Sequence, residues 1–149
     1  LLGEEVTTVV AQGSVLTDPA IGELGDYDSV NVILTTASGK QCTITNSRRA
    51  TYGYDQRMEV LGSLGMAHAQ NTHENSVEVA VEDGYHKAPL LNFFMDRYTM
   101  AYANEIAAFV DAIQNGTPTP TTGLDGLKAL ELADAALESA QTGKAVILA

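Results

Sequence analysis

The densest concentration of chemically capable side chains is one stretch, Asn46-Ser47-Arg48-Arg49-Ala50-Thr51-Tyr52-Gly53-Tyr54-Asp55-Gln56-Arg57. It holds three of the eight Lys and Arg residues and two of the six tyrosines, beside an acid. Such side chains suit a ligand rich in hydroxyl groups. Amide, carboxylate and guanidinium groups offer fixed donors and acceptors, and a phenol ring covers a C–H face. The same composition also describes a charged connection between strands whose arginines pair with acidic neighbours. A second group is Asp96-Arg97-Tyr98-Thr99-Met100-Ala101-Tyr102-Ala103-Asn104-Glu105. On a helix, Tyr98, Tyr102 and Glu105 stand at i, i+4 and i+7 and share a face, with Arg97 and Ala101 alongside. Aromatic residues at that spacing also serve as core packing, in which case a buried phenol needs a hydrogen-bond partner.

The elements that position these groups read as strands over the first two-thirds of the chain and helices over the last third. Val6 to Leu16 is rich in Val and Thr and is expected to break at Gly13. Thr17 to Ser29, with Pro19, Gly22 and Gly25, reads as a loop. Val30 to Leu34 and Lys40 to Asn46 form a hairpin around Ser38-Gly39. Arg57 to Leu61 and Gly65 to Ala69 flank a tight connection at Gly62-Ser63. Val77 to Glu82 alternates strictly, so a covered valine face and a polar face are expected, followed by a turn at Asp83-Gly84 and a return strand from Tyr85 to Ala88. From Phe93, apolar residues at Phe94, Tyr98, Tyr102, Ile106, Phe109, Val110 and Ile113 predict a helix ended by Asn115-Gly116. Thr122 and Asp125 form a capping box for a second helix that ends at Gly143. The pattern predicts an α+β fold: an open, mainly antiparallel mixed sheet with helices packed on one face, in a single domain over 1–149.

Composition narrows the function. The net charge of −11 and the lack of a basic stripe argue against nucleic acid. No run approaches the roughly 20 apolar residues of a membrane span. The single cysteine, Cys42, excludes an internal disulfide framework, fits a reducing cytoplasm and reads as structural. His68, His73 and His86 read as surface residues, and no metal site is expected. There is no Gly-rich dinucleotide loop, phosphate cradle, GxSxG elbow or HExxH helix. No catalytic or cofactor-binding residue is therefore assigned to this chain. The start at Leu1-Leu2-Gly3, without Met, suggests a piece of a longer chain.

Taken together, residues Asn46 through Met66, the helix Phe94 to Ile113, and Gly116-Thr117-Pro118 with Gly123 to Leu130 resemble the C-terminal domain of the glucose–fructose oxidoreductase and inositol dehydrogenase family. The Tyr52-Gly53-Tyr54-Asp55 segment points most narrowly to the inositol dehydrogenases. The resemblance covers nearly the whole chain. It implies an N-terminal Rossmann domain, absent here, that binds NAD, and a substrate-side domain whose open sheet makes homo-oligomer contacts, a tetramer in the family. It also implies hydride transfer from a ring C–H of a polyol, with a Lys and an Asp-x-x-x-His pair serving the hydroxyl proton. No Asp of this chain is followed four residues later by His. What carries over is a substrate-side surface: Tyr54 first, then Tyr52 and Asp55, with Tyr102 and Tyr98 closing the pocket from the helix and Arg48 and Asn46 orienting the segment. The alternatives are a non-catalytic acidic oligomerisation or carbohydrate-binding module, and the same domain of a family enzyme acting on another sugar.

Overall fold

The computed structural model describes residues 1–148. Its elements are β1 (Val6–Ser14), α1 (Pro19–Glu23), β2 (Ser29–Thr36), β3 (Gln41–Ser47), β4 (Met58–Gly62), β5 (Gly65–Ala69), β6 (Glu78–Val81), β7 (Gly84–Lys87), α2 (Phe94–Asn115), α3 (Gly123–Thr142) and β8 (Val146–Ile147). The fold is α+β with open antiparallel sheets. The strands divide into a four-stranded sheet of order β3-β2-β1-β8 and two separate hairpins, β4-β5 and β6-β7, where one mixed sheet was expected. Every strand pairing among the described residues is antiparallel. The chain forms two compact units, Leu1–Arg49 with the stretch from Thr121 onward, and Ala50–Pro120.

In the first unit the strand period sets the core. Val9 and Ala11 point to one face and lie opposite Leu34 and Val32 of β2, while Val10 and Ile33 pair on the other face and stay exposed. Helix α3 covers the inner face through Ala135, with Leu132, Ala136 and Ala140 beside it. Alanines on both sides bring helix and strand close. Cys42, the partner of Leu34 in β3, packs against this core. Ser139 completes the join. Strand β8 pairs only with Thr8 and Val9, and past its end the Ala11 N–H donates to Ser139 Oγ at 2.9 Å. The same hydroxyl donates to the Lys144 carbonyl at 2.6 Å.

Three local features depart from the sequence reading. Gly13 does not break β1; it pairs with Val30 and makes room for Tyr27, whose ring would lie 2.4 Å from a Cβ at that position. The expected loop contains the short helix α1. It starts because Asp18 Oδ1 accepts from the Ala20 N–H at 3.0 Å and Pro19 already has a helical φ. The two hairpin turns fall at Ser63-Leu64 and Glu82-Asp83, one residue from their expected positions, because Gly62 pairs with Gly65 and Val81 with Gly84. The helix ends agree with the sequence: Gly116 and Gly143 are left-handed C-caps, and Thr122 with Asp125 closes a capping box. The valine face of β6 is not covered as expected; Val79 and Val81 are half exposed. No helix among the described residues is long and apolar enough to cross a membrane.

Asp28, only 2 % exposed, anchors the turn that leads into α1. Its carboxylate accepts from the N–H groups of Leu16, Thr17 and Asp18 and from the hydroxyls of Thr17 and Ser29. Burial opposes its ionisation, but these donors outweigh burial and hold the group well below the usual carboxylate range. A depressed folded pKa contributes stability that is complete above the unfolded value of about 3.9 and is lost as pH falls below it. Acid titration of stability should therefore steepen below about pH 4, and Asp28→Asn should flatten that limb and lower the midpoint at neutral pH. Urea unfolding across that range checks this; an unchanged acid limb would reject it. Ser139→Ala should cost about 1–3 kcal/mol, because the Ala11 N–H is then buried without an acceptor. Urea unfolding at neutral pH measures that loss.

Candidate functional site

The second unit gathers five of the seven residues that the sequence singles out. The connection from β3 to β4 carries Tyr52, Tyr54 and Asp55, and the first turns of α2 carry Tyr98 and Tyr102. Asn46 and Arg48 belong to the first unit. Asn46 pairs with Val30 inside the sheet, and the Arg48 N–H donates to the Asp28 carbonyl at 2.8 Å. They fix the end of β3, where the connection begins.

Asp55 organises that connection. The Tyr52 hydroxyl donates to Asp55 Oδ2. Arg57 approaches as a fork, Nε to Oδ1 at 2.8 Å and a terminal nitrogen to Oδ2 at 3.0 Å. Asn71 Nδ2 adds a bond to Oδ1 at 2.7 Å, and Asn71 Oδ1 accepts from the Gln56 N–H at 2.7 Å. The Arg57 guanidinium first, then Tyr52 and Asn71, hold the Asp55 carboxyl at about 2, and the bond to Asp55 pushes the Tyr52 phenol up. Asp55 is thus ionised at neutral pH with both oxygens occupied. An ionised carboxylate so held orders its neighbours and is a weak proton acceptor.

Gly53 explains the spacing of the two tyrosines. Its φ is +132°, and a Cβ there would lie 2.5 Å from Leu90 Cβ. The Leu90 segment is itself clamped. Leu91 accepts from the Tyr54 N–H at 2.9 Å and donates to Thr72 at 3.0 Å, while the Glu74 N–H donates to Pro89 at 3.0 Å. Tyr54 meets Tyr98 edge-on, with ring centroids 5.7 Å apart at 84°, and Tyr98 meets Tyr102 at 6.3 Å and 73°. The Tyr98 hydroxyl donates to Gln56 Oε1. Burial, followed by neighbouring Tyr54, pushes the Tyr98 phenol up. Tyr98 therefore both packs and makes a polar contact, while Tyr102 is 43 % exposed.

Gln56, Arg57 and Asn71 were not singled out as site residues. Gln56 and Arg57 lie within the flagged stretch, but nothing local marks Asn71, which follows β5 and reaches Asp55 only through the fold. An open cleft of about 630 Å³ runs beside this group, lined by Tyr52, Arg57, His68, Asn71, His73 and Lys87. His73 is oriented by a bond between Nδ1 and the Ala88 carbonyl, and His86 pairs with Asp83 at 2.8 Å. No group of three or more His, Cys, Asp or Glu among the described residues could hold a metal ion. Among the described residues the strands pair antiparallel and form no parallel strand–helix–strand crossover of the kind that holds a dinucleotide. The cluster offers phenol, amide and carboxylate groups of the kind that suit a hydroxylated ring. Gly53→Ala should force the loop off Leu90 and release the Tyr54 amide. At least about tenfold faster hydrogen exchange at that amide is expected, and unchanged exchange would contradict the clamp.

The chain is similar to known proteins over its whole length. A family model described as "Oxidoreductase family, C-terminal alpha/beta domain" matches residues 1–148. The inositol 2-dehydrogenase of Rhizobium meliloti (strain 1021) is 57% identical over 149 residues, all of this chain and 45% of that protein. The structure of a myo-inositol dehydrogenase from Corynebacterium glutamicum superposes with a TM-score of 0.92 at 41% identity, covering 97% of this chain and 44% of that one. A scyllo-inositol dehydrogenase from Lactobacillus casei, solved with NAD(H) and scyllo-inositol, gives 0.87 at 27% identity, covering 97% and 43%. The chain thus spans a little under half the length of these relatives. It belongs to the oxidoreductase family of the glucose–fructose oxidoreductase and inositol dehydrogenase type, as the C-terminal alpha/beta domain of that family.

Proposed function

We propose that this chain is the substrate-side domain of an NAD-dependent inositol dehydrogenase that oxidises a ring hydroxyl to a ketone. The observation that carries the reading is the group formed by Tyr54, Tyr98, Tyr102 and Gln56, held in place by the saturated Asp55 carboxylate. Phenol edges and an amide suit a neutral ring dense in hydroxyls, and the 57% identical relative is named an inositol 2-dehydrogenase. Residues 1–149 act as one functional domain in this reading. NAD accepts the hydride, and the part of the relatives that this chain does not span binds it. Tyr54 contacts the polyol directly, with Tyr52, Tyr98 and Tyr102 around it, while Asp55, Arg48 and Asn46 position the segment.

The assembly is a cytoplasmic homo-oligomer joined through the open sheet face. Support comes from the exposed pair Val10 and Ile33 on the four-stranded sheet.

Two measurements test the proposal. In the intact dehydrogenase, Tyr54→Phe should lower kcat/KM for myo-inositol by roughly 3- to 10-fold, the worth of one hydroxyl contact, with the KM for NAD unchanged. An unchanged KM and polyol selectivity would remove Tyr54 from the site. The chain alone should bind no NAD in calorimetry, and binding at micromolar affinity would overturn the division of labour.

A further inference from the structure

Asn115 and Gly116 end helix α2, and they also form a reactive pair. Of the seven asparagines, only Asn115 precedes a glycine. An asparagine carboxamide is open to attack by the backbone nitrogen of the residue that follows it. Most residues hinder that approach with a Cβ, and glycine has none. The reaction consumes only water. The Gly116 nitrogen gives up its proton and bonds to Asn115 Cγ, the bond from Cγ to Nδ2 breaks, and ammonia leaves carrying that proton. Water then opens the cyclic imide at either carbonyl and leaves aspartate or isoaspartate at position 115. Asn115 is exposed, so water has access.

The geometry of the cap opposes this attack. The Gly116 N–H donates to the Ile113 carbonyl at 3.4 Å, and the Thr117 N–H donates to the Ala112 carbonyl at 3.0 Å, which keeps Gly116 in its left-handed conformation. The carboxamide is meanwhile drawn back along the helix. Asn115 Nδ2 donates to the Asp111 carbonyl at 3.1 Å and to Asp111 Oδ1 at 2.9 Å, one turn earlier. We infer that Asn115 is a self-modification site of this protein, and that the grip of Asp111 on its carboxamide sets the rate. The product does not restore the grip. A carboxylate has no N–H to donate, it faces the like charge of Asp111 four residues back, and it stands at the negative end of the helix dipole. Conversion therefore loosens the last turn of α2, and the loss of ammonia makes it one-way.

The test is peptide mass spectrometry on the intact protein held in mildly alkaline buffer, reading conversion of the Asn115 amide to an acid. A free peptide covering residues 111–119 supplies the unrestrained rate. The folded protein should convert at least about 10-fold more slowly than the peptide. Asp111 is an exposed helical residue, and alanine is the strongest helix former, so Asp111→Ala is expected to fold. It should convert roughly 3- to 10-fold faster than the unaltered protein, the worth of one hydrogen bond. Asp111→Asn keeps an acceptor oxygen in the same place and should stay within about twofold of the unaltered rate. Equal rates in the folded protein and the peptide would overturn the inference, as would an unchanged rate in folded Asp111→Ala. Asp111→Lys, which also offers no acceptor, replaces the alanine protein if that one does not fold, with the same two outcomes.

Discussion

The site depends on one carboxylate that has no lone pair left to offer. Asp55 gathers a phenol, a guanidinium and an amide from three separate positions, Tyr52, Arg57 and Asn71. Because Asn71 also holds the Gln56 backbone, and the Gln56 side chain receives the Tyr98 hydroxyl, the order imposed at Asp55 passes to the tyrosines of α2. Charge-assisted bonds are stronger and shorter than neutral ones, which makes an ionised acid the effective centre for such a network. The cost is catalytic. A carboxyl held at about 2, with both oxygens already accepting, is a weak proton acceptor at neutral pH.

A different anion governs the first unit, by a similar rule. Asp28 turns the chain between β1 and α1 by collecting backbone donors, and its own carbonyl then fixes Arg48 at the end of β3. The connection bearing Tyr52 and Tyr54 therefore starts from a rigid point. The apolar contribution behind it is small. The buried hydrophobic residues among those described are Val9, Ala11, Val32, Leu34, Ala112 and Ala135, half of them alanines. Helix α2 meanwhile leaves Ile106 and Ile113 well exposed despite their helical spacing.

Sequence reading succeeded where local chemistry determines the outcome and failed where the partner lies far along the chain. Helix ends at Gly116 and Gly143 and the Thr122–Asp125 box follow from backbone rules that act within four residues. The tyrosines and Asp55 were visible as an unusual cluster of residue types. Asn71 was not, because its role appears only when β4 and β5 pair and bring it back to Asp55. Gly13 misled for the same reason: a strand glycine reads as a break until the ring of Tyr27 occupies the missing Cβ position. The valine alternation of β6 located a strand correctly but said nothing of what covers it, since a period of two specifies a face and not its neighbour. Strand β8 is two residues long, too short for any periodicity to register.

In the proposed dehydrogenase, a substrate domain built mainly from phenols and amides has a thermodynamic logic. Interactions made equally in ground and transition states lower KM without raising kcat, so the reacting centre must be treated differently from the rest of the ring. In the proposed dehydrogenase, neutral donors around the remote hydroxyls would bind without strongly desolvating a charge, with the hydride and proton movements carried by groups outside this chain. Rigidity then becomes the domain's contribution to rate. On the proposed reading, a ring held by edge-packed tyrosines and a coordinated loop would arrive in a single orientation, with the loss of rotational freedom met by binding instead of by the chemical barrier. The clamp on Gly53, the saturation of Asp55 and the packing of Tyr54 on Tyr98 all act toward that end. None of them needs to touch a reacting atom to affect the reaction.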